Sequence, residues 1–223
     1  MSLLQKYKDL NLPSIKWDTY LEHFDKHLTK YIGTKPNVLE IGIANGGSLE
    51  LWAKIFENPK IYGVDADEKV LDIKFEYPDT SVILGDQGNP DFWDNFVKDK
   101  PLFDVIIDDG SHVNSDQITT LLKLFPHVAV GGTYIIEDTH TSYWPEWGGG
   151  FRREDSFVEL CKMLVDFLHR QHIKEISPPP QLTYVFNNLK SITFYNSMVI
   201  LEKEIVTDMV PLSSEFLKTP KNS

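Results

Sequence analysis

Apolar residues recur at helical spacing through Trp17, Tyr20, Leu21, Phe24, Leu28 and Tyr31, which predicts an N-terminal helix broken by the stretch from Gly33 to Pro36. The pattern then changes to short apolar runs alternating with amphipathic segments. Residues 38–41, 60–64, 82–84, 103–107 and 133–136 read as strands. Between them, Leu51, Trp52, Ile55 and Phe56 share one helical face and are stopped by Asn58-Pro59. Further helices are predicted over 68–75 and 92–97, and where Ile118, Leu121, Leu122 and Phe125 recur. Strands alternating with helices imply parallel βαβ units in a doubly wound α/β sheet.

Beyond residue 138 the alternation stops. Residues 139–152 form a loop rich in glycine and aromatics. Ser156 followed by Glu159 is a capping box opening a helix whose apolar face is Phe157, Leu160, Cys161, Leu164, Val165 and Leu168. Pro178-Pro179-Pro180 ends any helix there. Residues 191–195 and 198–202 flank Asn196-Ser197, a hairpin signal that makes the last strand antiparallel. The predicted fold is one mostly parallel, seven-stranded sheet with an antiparallel C-terminal hairpin. Its predicted divisions are a helical segment over 1–35, the main domain over 36–212 with a lid loop at 139–152, and a flexible tail over 213–223.

Composition narrows the function classes. Of 223 residues, 41% are hydrophobic, enough for a core, so wholesale disorder is excluded. No apolar run nears the roughly 20 residues of a membrane span, and the first residues lack the apolar segment of a secretory signal. Cys161 stands alone, so no internal disulfide forms and a cytoplasmic setting fits. The net charge of −11, with arginine only at 152, 153 and 170, disfavours a nucleic-acid partner.

Candidate chemistry gathers at strand ends. Glu40-Ile41-Gly42-Ile43-Ala44-Asn45-Gly46-Gly47-Ser48 joins a strand to a helix, where glycine lets backbone turn tightly and approach a ligand. Asp65 ends the second strand, 23 residues after Gly42, where a carboxylate accepts ribose hydroxyls. Gly85-Asp86-Gln87 ends the third and reaches toward an adenine edge. Glu40, Gly42, Asn45, Gly46, Ser48, Asp65, Asp86, Gln87 and Asp108 are the candidate cofactor contacts. Asp108-Asp109 and Glu137-Asp138 end the fourth and fifth strands. Neighbouring strand tips lie about 4.8 Å apart, so four carboxylates would crowd one crevice and repel each other. A hard divalent cation, Mg²⁺, Mn²⁺ or Ca²⁺ rather than zinc, resolves that conflict, with Asp109, Glu137 and Asp138 as ligands. His112, three residues past Asp109, is a candidate general base, because imidazole titrates near neutrality. Metal ligation or a structural role is open to it as well.

The loop Thr141-Ser142-Tyr143-Trp144-Pro145-Glu146-Trp147-Gly148-Gly149-Gly150-Phe151 combines flat aromatic faces with three glycines expected to confer mobility. Beside a strand-end crevice it reads as a lid or substrate platform, and such faces suit carbohydrate rings. His140, Tyr143, Trp144 and Trp147 are its candidate substrate contacts.

Residues 38–48 with Asp65 resemble the cofactor half of class I, Rossmann-like S-adenosylmethionine-dependent methyltransferases. The Asp108-Asp109-Gly110-Ser111-His112 segment, followed by Glu137-Asp138-Thr139-His140-Thr141-Ser142-Tyr143, is more specific. It resembles metal-dependent sugar O-methyltransferases of macrolide biosynthesis, of the mycinamicin and tylosin type, and is similar to cephalosporin hydroxylase-like and rhamnosyl O-methyltransferase sequences. The resemblance covers residues 36–152 and implies Mg²⁺ on Asp109, Glu137 and Asp138, His112 as the base, S-adenosyl-L-methionine as cofactor, and a sugar-containing molecule or glycan as acceptor. The antibiotic enzymes carry a larger N-terminal region than this chain shows, and a homo-oligomer is compatible with the resemblance. Two other classes compete: an NAD-dependent oxidoreductase on the same fold, disfavoured by Ala44 and the acidic strand ends, and a non-catalytic carbohydrate-binding protein, disfavoured by the intact acids and His112.

Overall fold

Strands β1 (Asn37–Ile41), β2 (Lys60–Asp65), β3 (Thr80–Leu84), β4 (Phe103–Asp108) and β5 (Val128–Ile136) run parallel, while β6 (Leu189–Tyr195) and β7 (Met198–Lys203) close the sheet as an antiparallel hairpin. The strand order is β3-β2-β1-β4-β5-β7-β6. This is a computed structural model, and it describes residues 3–77, 79–175 and 177–213. Most of the tail expected to be flexible lies outside the described residues.

Helices cover both faces, because the central strands are apolar on both sides. On one face, α1 (Leu3–Lys8), α2 (Asp18–Leu28) and α3 (Gly47–Ile55) bury Leu3, Phe24, Leu28, Leu49 and Trp52 against Val38, Val105, Ile107 and Ile135. On the other, α4 (Pro90–Phe96), α5 (Asn114–Leu124), α6 (Phe157–Leu168) and α7 (Thr183–Asn188) bury Trp93, Leu121, Phe157 and Leu164 against Leu39, Ile106 and Ile136. Among the described residues, no helix is long and apolar enough to cross a membrane.

The helix starts follow local rules. Asn89 accepts from the Asp91 and Phe92 amides ahead of Pro90 at the first turn of α4. The Ser156 side chain accepts from the Glu159 amide at the start of α6, whose buried face is completed by Phe167 rather than Val165. The helix expected over 68–75 is only a short 3-10 turn, Glu68–Asp72, because Ile73 goes extended and Phe75 turns over Gly46. β5 is longer than expected: it starts at Val128 and passes through a register shift at Gly131-Gly132, where alternation is lost.

Register brings the parallel strand tips level. Ile41 pairs with both Val64 and Asp108, Asp108 pairs with Ile136, and Asp65 pairs with Leu84. The chain turns one way from β1 to β2 and the other way from β3 to β4, so a crevice opens at this end of the sheet. The segment between α1 and α2 lies across that crevice. It is positioned by α2, whose fully buried Phe24 meets the Trp52 ring edge-on at 5.1 Å. Phe24→Ala is expected to cost about 3–5 kcal/mol by leaving a cavity between α2 and α3, read as a lower denaturant midpoint at unchanged slope.

Candidate active site

The crevice is a cleft of about 510 Å³ lined by the ends of β1 to β4. Its floor is the turn after β1. Gly42 has φ +81°, and a methyl there would collide with the Asp109 carbonyl oxygen, so only glycine lets the turn cross the tip of β4. Asp65 shapes the same turn: its carboxylate accepts from the Ile43 and Ala44 amides at 2.9 and 3.0 Å, and from the Asp67 amide at 2.9 Å. Gln87 braces the far wall, donating to Asp108 at 2.7 Å and accepting from the Ser111 amide at 2.6 Å.

Strand parity sorts the acids. Successive side chains point to opposite faces, so Asp108 turns toward α5 and Asp109 away from it. Asp108 is fully buried, held by Gln87 and Thr120, and burial pushes its carboxyl up to about 7. Asp108, a candidate cofactor contact in the sequence, sits beneath the cleft rather than in its lining. Glu40, Asp109 and Glu137 gather on the opposite face at the tips of β1, β4 and β5. The ladder continues past the strands there, with the Asp109 amide donating to Ile41 and the Glu137 amide to Asp108.

A cation stands among these three acids. The Lys16 ammonium lies 2.5 Å from Asp109 Oδ2, 2.6 Å from Glu137 Oε1 and 3.6 Å from Glu40 Oε1. Burial alone would lower its pKa, but Asp109, Glu137 and Glu40 hold it well above the ordinary lysine value. Burial pushes Glu40 up to about 7 against the pull of Lys16. Burial and then Asp109 hold Glu137 above the usual carboxylate range.

Asp138 faces elsewhere. It accepts from Trp17 Nε1 at 3.0 Å and Tyr20 Oη at 2.8 Å, and its other oxygen lies 3.5 Å from His112 Nε2. His112 Nε2 is also 4.0 Å from Asp109 Oδ1. Asp109 therefore belongs to two groups close enough to share an ion, one with His112 and Asp138 and one with Glu40 and Glu137. The oxygen-rich donor set suits Mg²⁺ or Mn²⁺, and the buried ammonium shows that the pocket accommodates a cation. His112 and Asp138 both take left-handed backbone, φ 58° and 52°. Each costs of order 1–3 kcal/mol, a strain typical of functional sites.

The loop after β5 is braced. Thr141 Oγ1 donates to the His112 carbonyl, and the Gly150 amide donates to the Ser142 carbonyl. A methyl on Gly149 would collide with the Thr141 and Ser142 carbonyls, so that glycine serves close packing. Asn114 ties the loop to α5 and α6: it accepts from Ser142 Oγ and the Phe157 amide and donates to the Trp147 carbonyl.

Of the sequence candidates, Gly42, Asp65, Asp86, Gln87, Asp109, His112 and Asp138 line the cleft. Asn45, Gly46 and Ser48 do not: Gly46 packs under Phe75, and Ser48 is buried. Glu40 itself is sealed behind the cleft, bonded to Trp52 Nε1. Trp147 stacks obliquely 6.2 Å from the His112 ring. His140 and Tyr143 line a neighbouring hollow with Phe194 and Tyr195, and Trp144 packs edge-on against His140. Lys16, Asn114 and Ile15 escaped the sequence reading. The exposed Ile15 borders both the cleft and the acid pocket, and sits in an irregular segment with no periodicity to flag it.

No known family profile matches the chain. It is 34% identical over 196 residues to mycinamicin VI 2''-O-methyltransferase of Micromonospora griseorubida, covering 82% of this chain and 48% of that one. It is 33% identical over 213 residues to demethylmacrocin O-methyltransferase of Streptomyces fradiae, covering 91% and 52%. The MycE methyltransferase of the mycinamycin pathway, solved in complex with Mg and SAH, superposes with TM-score 0.82 at 30% identity, covering 97% of this chain and 59% of that one. This chain is a methyltransferase-fold relative of the macrolide sugar O-methyltransferases. It spans about half the length of the curated relatives it matches. The methyltransferase strand order accounts for the C-terminal hairpin, whose Ser197 carbonyl accepts from the Thr139 amide and steadies the acid-bearing turn. Asn114→Ala is expected to destabilise the fold by about 1–3 kcal/mol, since it strands the Phe157 amide, and to make residues 139–152 the first site of limited proteolysis.

Proposed function

We propose that this chain is an S-adenosylmethionine-dependent O-methyltransferase, assisted by Mg²⁺ or Mn²⁺, acting on a sugar hydroxyl of a glycoside or glycan. The observation that carries the reading is Asp109, His112, Glu137 and Asp138 together at adjacent strand tips, beside a cleft of about 510 Å³. Support comes from the 30% identical MycE, solved with Mg, SAH and Mycinamycin VI. That likeness favours methyl transfer over hydride transfer or mere carbohydrate binding.

In this reading Asp65 and the glycine turn hold the nucleoside end of the cofactor, whose positive sulfur activates the methyl group. Asp109 and Asp138, which lie in one group close enough to share an ion, would hold the divalent ion, with Glu137 as the third carboxylate grouped through Asp109; the ion would lower the acceptor hydroxyl's pKa. His112 Nε2 would take the proton of the acceptor hydroxyl as its oxygen receives the methyl group from the cofactor sulfur. Its ring is set by the left-handed backbone, by Thr141 on its carbonyl, and by Asp138 at 3.5 Å. Trp147, Tyr143, Trp144 and His140 offer faces to the acceptor. Cytoplasmic location fits the lone buried thiol of Cys161.

Three measurements test the scheme. Asp65→Ala should weaken S-adenosylhomocysteine binding by calorimetry, each charge-assisted bond being worth roughly 1.5–3 kcal/mol; unchanged affinity would remove Asp65 from the cofactor site. Mass spectrometry of glycosides incubated with labelled S-adenosylmethionine should show methyl transfer that a chelator abolishes and Mg²⁺ restores. His112→Ala should lower kcat by roughly 10²–10⁴ with no rescue by excess Mg²⁺. Chelator-insensitive turnover would refute the metal, and loss of activity traceable to lost metal would make His112 a ligand.

A further inference from the structure

Lys16 has no part in the reaction just described, yet its side chain is only 2% exposed. Buried lysines are rare unless paired, and this one is paired three times. Its ammonium joins the tips of β1, β4 and β5 through Glu40, Asp109 and Glu137. Glu40 Oε1 is buried and has no hydrogen-bond partner, so Lys16 at 3.6 Å is the cation that answers it.

Such an ammonium either stands where the divalent ion must go, or stays beside the ion and sets its ligands. The geometry favours the second. Lys16 occupies Asp109 Oδ2 and leaves Oδ1 on the side of His112 and Asp138. Asp138 is held by Trp17 and Tyr20 instead. The segment carrying Lys16 is tethered well away from the acids. The Asn11 and Leu12 amides donate to the Glu50 carboxylate at 2.8–3.0 Å, and Tyr7 Oη donates to the Ser14 carbonyl at 2.8 Å. The Leu12 and Pro13 carbonyls press on Gly47 where no side chain would fit. Displacing the ammonium would mean lifting this whole strap. Charge agrees: Glu40, Asp109, Glu137 and Asp138 against one ammonium leave three negative charges when all are ionised and two when one buried glutamate keeps its proton, enough to hold a divalent ion without expelling the lysine.

We propose that Lys16 is a positioning residue, a permanent pin that holds the Asp109 and Glu137 carboxylates side by side so that a divalent ion meets a pre-formed set of oxygens. Without it the two carboxylates repel and separate. The inference rests on the metal-assisted reading above.

The test is Mn²⁺ binding to the full chain, by calorimetry and by the electron paramagnetic resonance of free Mn²⁺, in wild type, Lys16→Met, Lys16→Arg and Glu50→Gln. Orienting partners of metal ligands are typically worth 10–100-fold in metal affinity. Lys16→Met should therefore weaken Mn²⁺ binding about tenfold or more, and Lys16→Arg, which keeps the charge, should recover part of it. Glu50→Gln loosens the strap without altering any acid of the cluster. It should weaken Mn²⁺ several-fold, and it covers the case in which Lys16→Met fails to fold. Mn²⁺ binding as tight as wild type, or tighter, in Lys16→Met or Glu50→Gln would overturn the proposal alone. A wild type that binds no Mn²⁺ would overturn both the pin and the metal-assisted reaction.

Discussion

Like charge at the tips of neighbouring strands is the constraint on which the rest of this structure depends. Parallel register brings the ends of β1, β4 and β5 level, and strand parity turns Glu40, Asp109 and Glu137 to the same face. Carboxylates this close in a buried site are untenable without a cation or protons. The chain supplies both in part: the Lys16 ammonium between Asp109 and Glu137, and raised proton affinity at Glu40 and Glu137. Delivering that ammonium requires a segment from outside the sheet. Hence the strap before α2 crosses the crevice, with Glu50, Tyr7 and Gly47 fixing its path.

The same strap makes two sites one. Ile15 borders the nucleotide-sized cleft, Lys16 enters the acid cluster, and Trp17 donates to Asp138. Three consecutive residues thus touch every part of the proposed reaction centre. A substitution at any of them would be felt at the others, because additivity fails among residues sharing one network.

Much of this was legible in the chain, for identifiable reasons. The alternation of short apolar runs with amphipathic segments revealed the parallel sheet, and Asn196-Ser197 marked the hairpin, because those signals are local. Acids at successive strand ends revealed Asp109 and Glu137 as neighbours, because register follows from topology. Which acid faces which side was not legible, since that depends on a parity fixed only once the strand boundaries are known, and so Asp108 was grouped with the candidate cofactor contacts. Lys16 was invisible. A single lysine in an irregular segment carries no periodic signal, and its hydrogen-bonded partners Asp109 and Glu137 lie roughly 90 and 120 residues away in sequence. The close packing of Gly149 was not legible either, since it answers a steric demand from carbonyls that only the folded loop brings near.

Strain and bracing then fit together. His112 and Asp138 are held in left-handed backbone, and neither is a glycine. Such a conformation persists only where surroundings over-determine it. Each residue has its clamp: Thr141 on the His112 carbonyl, and Tyr20 and Trp17 on the Asp138 carboxylate, with Tyr20 also bonding Ser197 at the hairpin turn. Those clamps come from the loop after β5, from the strap and α2, and from the C-terminal hairpin. Elements scattered across the chain therefore converge on two residues, His112 and Asp138, whose side chains meet at 3.5 Å. The roles proposed for the pair, a proton-accepting imidazole and an ion-binding carboxylate, would need such clamping, because that chemistry depends on orientation to within a fraction of an ångström.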